Sequence, residues 1–129
     1  MIKQLLIHIP MFLSSLFSCQ SPEGTESVSA EAFAKIITQD NVVRLDVRTA
    51  QEYAEGHIQG SINIDVLGSG FEQQSLATLP KNKTIALYCR SGNRSKQAVR
   101  ILARNGYKVV ELQNGILGWM SARLPLVRK

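Results

Sequence analysis

"LYCRSGNRSKQAVRIL", Leu87 to Leu102, joins two different periodicities. Upstream, "TIALY" (Thr84 to Tyr88) is a short apolar run of the kind that forms a buried strand. Downstream, from Ser95 to Arg104, Ala98, Ile101 and Leu102 share one helical face, Lys96, Arg100 and Arg104 take the other, and Gly106 closes the segment. Between them stands Cys89, followed by Arg90, Ser91, Gly92, Asn93 and Arg94. A strand that feeds a helix through a tight loop is half of a βαβ unit. In a parallel sheet such a loop lies at the strand's carboxyl end, where ligands bind.

The same alternation extends through the chain. "SAEAFAKIIT" predicts a helix capped by Ser29, with Phe33, Ile36 and Ile37 on one face. "VVRLDV", Val42 to Val47, predicts a strand. Thr49 and Glu52 form a capping-box pattern for a short helix that Gly56 ends. "SINID" predicts a second strand, and Ser69 with Glu72 repeats the capping box before a helix stopped by Pro80. "KVVEL" is a further strand, and Ile116 to Ala122 a last helix. The fold class is therefore α/β, a central parallel sheet with helices on both faces.

Charge is placed unevenly. The 129 residues carry a net charge of +5, yet no acid stands between Glu72 and Glu111, where Lys81, Lys83, Arg90, Arg94, Lys96, Arg100, Arg104 and Lys108 fall. This is either a solvated basic face or a local field that draws small anions to Cys89. No groove-reading or stacking motif accompanies it, which argues against nucleic acid.

Lys3 precedes an apolar run from Leu5 to Phe17, the length of a signal-peptide core and short for a membrane span. The "LFSC" that ends at Cys19 resembles the bacterial lipoprotein signal box. The resemblance implies a signal peptide over 1–18, lipid on Cys19, and an envelope protein anchored to a membrane and facing the periplasm or exterior. An uncleaved anchor or simple secretion is the alternative. Residues 19–27 read as a polar tether. Two cysteines in an exported chain would by default pair as a disulfide; with Cys19 acylated, Cys89 is left as a lone thiol.

A thiol beside a helix N-terminus and cations is biased toward thiolate. The helix after Ser95, Arg90 and Arg94 supply both influences, Gly92 lets successive amides face one centre, and Ser91 and Ser95 offer hydroxyls. Such a loop suits a thiolate, or an anion attached to it.

Cys-Arg-Ser-Gly-Asn-Arg, Cys89 to Arg94, resembles the C-x-x-G-x-R active-site loop of single-domain rhodaneses. "LDVR" (Leu45 to Arg48), "GHIQGSINI" (Gly56 to Ile64) and "NGILGW" (Asn114 to Trp119) are similar to that family's other signatures, in order. Asn114 stands where the family has a glycine, a left-handed backbone position that Asn tolerates.

The resemblance implies a rhodanese-like domain over 28–129 and sulfur transfer without a cofactor or metal. Cys89 would attack thiosulfate or another sulfane donor, becoming a persulfide, and a thiol, a protein persulfide acceptor or cyanide would remove the sulfur. Arg90, Ser91, Gly92, Asn93, Arg94 and Ser95 would bind the substrate. Asp46, Arg48 and His57 would be structural near the site, and His57 would not be needed as a base; from their spacing alone, Arg48 and Glu52 are expected to pair locally. A monomer is expected. Phosphatases and arsenate reductases use a related Cys-x5-Arg loop, whereas four residues separate Cys89 from Arg94. A non-catalytic persulfide carrier or docking module is the other alternative.

Overall fold

The computed structural model describes residues 22–129, so the signal segment and Cys19 lie outside the described residues. In chain order the elements are β1 (Thr25–Val28), α1 (Ala30–Ile36), β2 (Val42–Asp46), α2 (Ala50–Glu55), β3 (Ile62–Asn63), α3 (Phe71–Thr78), β4 (Thr84–Tyr88), α4 (Arg94–Arg104), β5 (Val109–Leu112) and α5 (Gly115–Ser121). All strand pairings in the sheet are parallel, in the order β1-β5-β4-β2-β3. Among the described residues no helix is long and apolar enough to cross a membrane.

Residue alternation along β4 explains the layering. Ile85, Leu87 and Cys89 face one core with Phe71, Ala98, Val99 and Leu102 of α3 and α4. Ala86 and Tyr88 face the other, with Phe33 of α1 and Ile116 and Trp119 of α5. Phe33 meets Tyr88 and Trp119 edge-on, at centroid distances of 6.4 and 6.2 Å. Both faces of the sheet are thus covered, which is why its strands read as nearly continuous apolar runs.

Three sequence expectations about the frame need correction. Thr25–Ser27, assigned to the tether, forms most of β1 and pairs with β5; its polar residues suit an edge strand with limited burial. Ser69 does not cap α3: the helix starts one residue later, Gly70 is its N-cap, and Glu72 binds Asn105 and Arg104 instead. "SINID" contributes only the two residues of β3. The box at Thr49 and Glu52 is present as expected, as is the Ser29 cap.

β4 lies between β2 and β5, and the connections leaving β2 and β4 run toward opposite edges of the sheet. Their diverging loops open a crevice at the carboxyl ends of these two strands. Cys89 lies there.

Candidate active site

The loop after β4 turns back on its own first side chain. Gly92 donates its amide N–H to Cys89 Sγ at 3.1 Å. The Ser91 and Ser95 amides and the Ser95 hydroxyl act on the sulfur too, each favouring its anionic form. Gly92 has φ 106°, and a Cβ on it would stand 2.7 Å from the Gln113 carbonyl oxygen, so glycine is required for this turn. Cys89 is 1% exposed and unpaired in any disulfide among the described residues. Burial pushes its thiol pKa up, but the converging donors outweigh burial and bring it below the usual value.

The two arginines of the loop do different things. Arg94 opens α4 and is held bidentately by Glu52 of α2, with Nη1 and Nη2 donating at 2.7 and 2.8 Å. That contact is the main reason the Glu52 carboxyl is lowered to about 2. Glu52 therefore does not pair with Arg48, as the sequence suggested. Arg48 is bound instead by Asp46 at 2.6 Å, both side chains being almost wholly buried. Arg48 also donates to the Gly56 carbonyl, and Asn63 donates to the carbonyls of Asp46 and Arg48. These contacts stiffen the loop after β2. Arg90 is exposed, and no carboxylate among the described residues pairs with it. The basic run is thus partly neutralised: Arg94, Lys96 and Arg104 each meet an acid from outside it.

His57 is 1% exposed, with Nδ1 2.8 Å from the Tyr53 carbonyl and Nε2 2.8 Å from that of Lys129. Its ring stacks on Tyr53 at 3.7 Å. Both nitrogens are committed to backbone oxygens, so neither is directed at the thiol.

Asn114 does not adopt the left-handed conformation expected of it: its φ is −110°, and Gly115 beside it has φ 61°. Two residues that contribute to the site escaped the sequence reading. Gly115 packs on the Cys89–Arg90 peptide. Glu111, 4% exposed on β5, accepts the Ser95 hydroxyl and Lys96. Its signal was available, an acid within the otherwise apolar end of "KVVEL". Beside the loop, Arg48, Glu52, Glu55, Arg90, Leu117 and Met120 line a cleft of about 270 Å3. A larger cavity of about 500 Å3 lies between α1 and α5, away from Cys89, with Glu31 as its one titratable lining group.

A family model described as "Rhodanese-like domain" matches residues 29–122. A sulfurtransferase of Allochromatium vinosum is 32% identical over 94 residues, covering 72% of this chain and 85% of its own length. The thiosulfate sulfurtransferase PspE of Escherichia coli K12 is 40% identical over 72 residues, 56% of this chain and 68% of PspE. The crystal structure of a rhodanese-related protein from Thermoplasma volcanium superposes with a TM-score of 0.71 at 32% identity, covering 81% of this chain and 99% of that one. The family match runs from the N-cap of α1 to the C-cap of α5, enclosing every helix among the described residues and the whole Cys89 loop, and the chain belongs to the rhodanese-like domain family.

Proposed function

We propose that this protein is a rhodanese-type sulfurtransferase, moving a sulfane sulfur from thiosulfate or a persulfide donor to a thiol or cyanide acceptor. The carrier is a persulfide on Cys89. The observation that carries the reading is the Gly92 amide on Cys89 Sγ at 3.1 Å, in a loop with four residues between Cys89 and Arg94. Sulfurtransferase relatives support sulfur transfer in general.

The Cys89 thiolate attacks the outer sulfur of thiosulfate. A bond forms between the two sulfurs, the bond to the sulfonate sulfur breaks, and sulfite leaves with the electron pair. The acceptor thiolate then attacks the outer sulfur, and Cys89 leaves as thiolate. Each step exchanges one anionic sulfur for another, so fixed amides that favour an anion serve both without an acid or base. Exposed Arg90 attracts the donor anion.

The related phosphatase reading needs one more residue in the loop and a closing arginine free to hold phosphate. Here the spacing is four and Arg94 is engaged by Glu52. Intact-mass spectra test the proposal. Thiosulfate should add one sulfur to the wild-type chain, cyanide should remove it as thiocyanate, and Cys89→Ser should do neither. A chain that gains the sulfur but passes it to no acceptor would be a carrier; one that hydrolyses aryl phosphates without gaining sulfur would be a phosphatase.

We further propose that Cys19 carries lipid and holds the domain at the cell envelope, facing the periplasm or exterior. The support is the "LFSC" box before a polar segment. Cys19→Ser should release the protein from the membrane fraction or leave it unprocessed. Unchanged processing and membrane retention would reject the anchor.

A further inference from the structure

Glu111 is a buried acid near the loop that the transfer chemistry above does not use. It lies on β5, in register with Leu87 of β4, and faces the α4 side of the sheet, the side that Cys89 also faces. Its Oε2 accepts the Ser95 hydroxyl, and its Oε1 accepts Lys96 Nζ at 2.7 Å. Ser95 is wholly buried, so no water competes for its hydroxyl. The same hydroxyl is the foremost of the groups that favour the anionic form of Cys89 Sγ.

A serine hydroxyl has one proton to donate. An ionised carboxylate is an acceptor only, and so is a thiolate. Glu111 and the Cys89 thiolate therefore cannot both receive the Ser95 proton at once. When Ser95 donates to Glu111, it turns lone pairs toward Cys89, which favours a thiol S–H donor over a thiolate. When Ser95 turns to Cys89, the buried carboxylate loses a donor and retains Lys96.

We propose that Glu111 is a positioning residue that sets the reactivity of Cys89 by competing with it for the Ser95 hydroxyl proton. The competition keeps the sulfur more basic than the loop amides alone would make it, and a more basic thiolate is a stronger nucleophile. No covalent bond is made or broken; the hydroxyl reorients. The inference rests on Cys89 being the reacting group but not on the identity of its substrates. Other charges around the pair are Lys96 and Arg94 on α4, Glu52 on α2, Arg90 in the loop, and Asp65 after β3, which acts on Arg94.

The test is the pH dependence of Cys89 alkylation by iodoacetamide in the full chain, followed at the Cys89 peptide by mass spectrometry. Glu111→Gln should move the inflection down by roughly one pH unit, because it removes the charge and leaves Ser95 only a weaker, neutral acceptor to compete with the thiolate. In a Ser95→Ala background the same substitution should move it by much less. Lys96→Gln is an exposed change that leaves the fold intact; it strengthens the local negative charge and should move the inflection up, again less when Ser95 is absent. An upward shift in Glu111→Gln would make Glu111 a proton acceptor for Cys89 instead and overturn the proposal. Equal shifts with and without the Ser95 hydroxyl, for either substitution, would reduce Glu111 to a through-space charge and overturn it too. Since alkylation requires no sulfur donor, the result stands apart from success or failure of sulfur loading.

Discussion

Gly115 lies so close to Arg90 that a Cβ on it would stand 2.4 Å from the Arg90 carbonyl oxygen and 2.7 Å from that of Cys89. The next two amides of α5 use this proximity. Ile116 N–H donates to the Cys89 carbonyl at 2.9 Å, and Leu117 N–H to the Arg90 carbonyl at 3.1 Å. In a planar trans peptide the N–H points away from the C=O. Anchoring those carbonyls on α5 therefore turns the following amides inward, and the Ser91 amide is one that favours the anionic form of the sulfur. The start of α5 thus helps shape the anion cradle.

Gly115→Ala should break this arrangement twice, through its φ of 61° and through the collision with backbone atoms that have no side-chain freedom to yield. Strain of this kind costs about 1–3 kcal/mol. Displacing the loop by a fraction of an ångström should slow sulfur loading by about 10²-fold. Circular dichroism and intact-mass loading kinetics measure the two effects separately. Normal loading in the folded variant would show that the cradle does not depend on α5.

Arg90→Ala should slow loading from the thiosulfate dianion about tenfold at low ionic strength, with the deficit shrinking as salt is raised. Its stability should be nearly unchanged, since the side chain is exposed. Arg94→Ala should instead cost stability, because it leaves the carboxylate of Glu52, 24% exposed, without its partner. Chemical denaturation and loading rates against salt distinguish them. A larger salt-dependent loss in Arg94→Ala, at unchanged stability, would mean that Arg94 leaves Glu52 to take the donor.

Much of this arrangement was legible in the sequence because it is local. The Thr49 and Glu52 capping box, β4 over Thr84–Tyr88 and the strand-to-helix loop at Cys89 all follow from residues within a few positions of one another. Partners across the fold were not legible. Glu52 satisfies its own cap and also reaches Arg94, 42 positions on, and nothing in the spacing distinguishes that from a contact with Arg48. β1 was missed because "TESV" lies on an edge, where a strand needs little hydrophobic pattern. Asn114 was given the left-handed turn that belongs to Gly115, because the sequence does not fix which of two adjacent residues takes the positive φ.

The contact between Glu52 and Arg94 should be visible in acid. Arg94 first, with Thr49 contributing, lowers the Glu52 carboxyl from 4.5 to about 2 in the folded chain, against the opposing effect of burial. A carboxyl depressed by folding stabilises the folded state above its unfolded value, and that stability is lost as pH falls from about 4.5 toward 2. Glu52→Gln should lower stability at neutral pH and flatten the decline across that window. Denaturation midpoints of the two proteins should therefore converge near pH 2. Parallel curves would show that Glu52 is not held by Arg94 in solution.

Ser75 offers a change in the opposite direction. It is wholly buried on α3, and its hydroxyl has no hydrogen-bond partner among the described residues. Its backbone carbonyl is occupied, accepting the Leu79 amide at 2.8 Å and, more weakly, the Tyr107 hydroxyl at 3.4 Å. The side chain thus bears the cost of lost hydration without a compensating bond. Ser75→Ala removes the hydroxyl, leaves no space larger than the atom deleted, and places a better helix former in the middle of α3. It should stabilise the domain by about 1 kcal/mol, raising the melting temperature by roughly 4–8 °C. Ser75→Thr keeps the unpaired hydroxyl, adds a methyl to a packed core, and should destabilise. Neither should change sulfur loading once folded, because the Ser75 hydroxyl makes no hydrogen bond to the cradle. A lower melting temperature in Ser75→Ala would mean that the hydroxyl is hydrogen bonded in solution, by a buried water or by an adjusted carbonyl of its own helix.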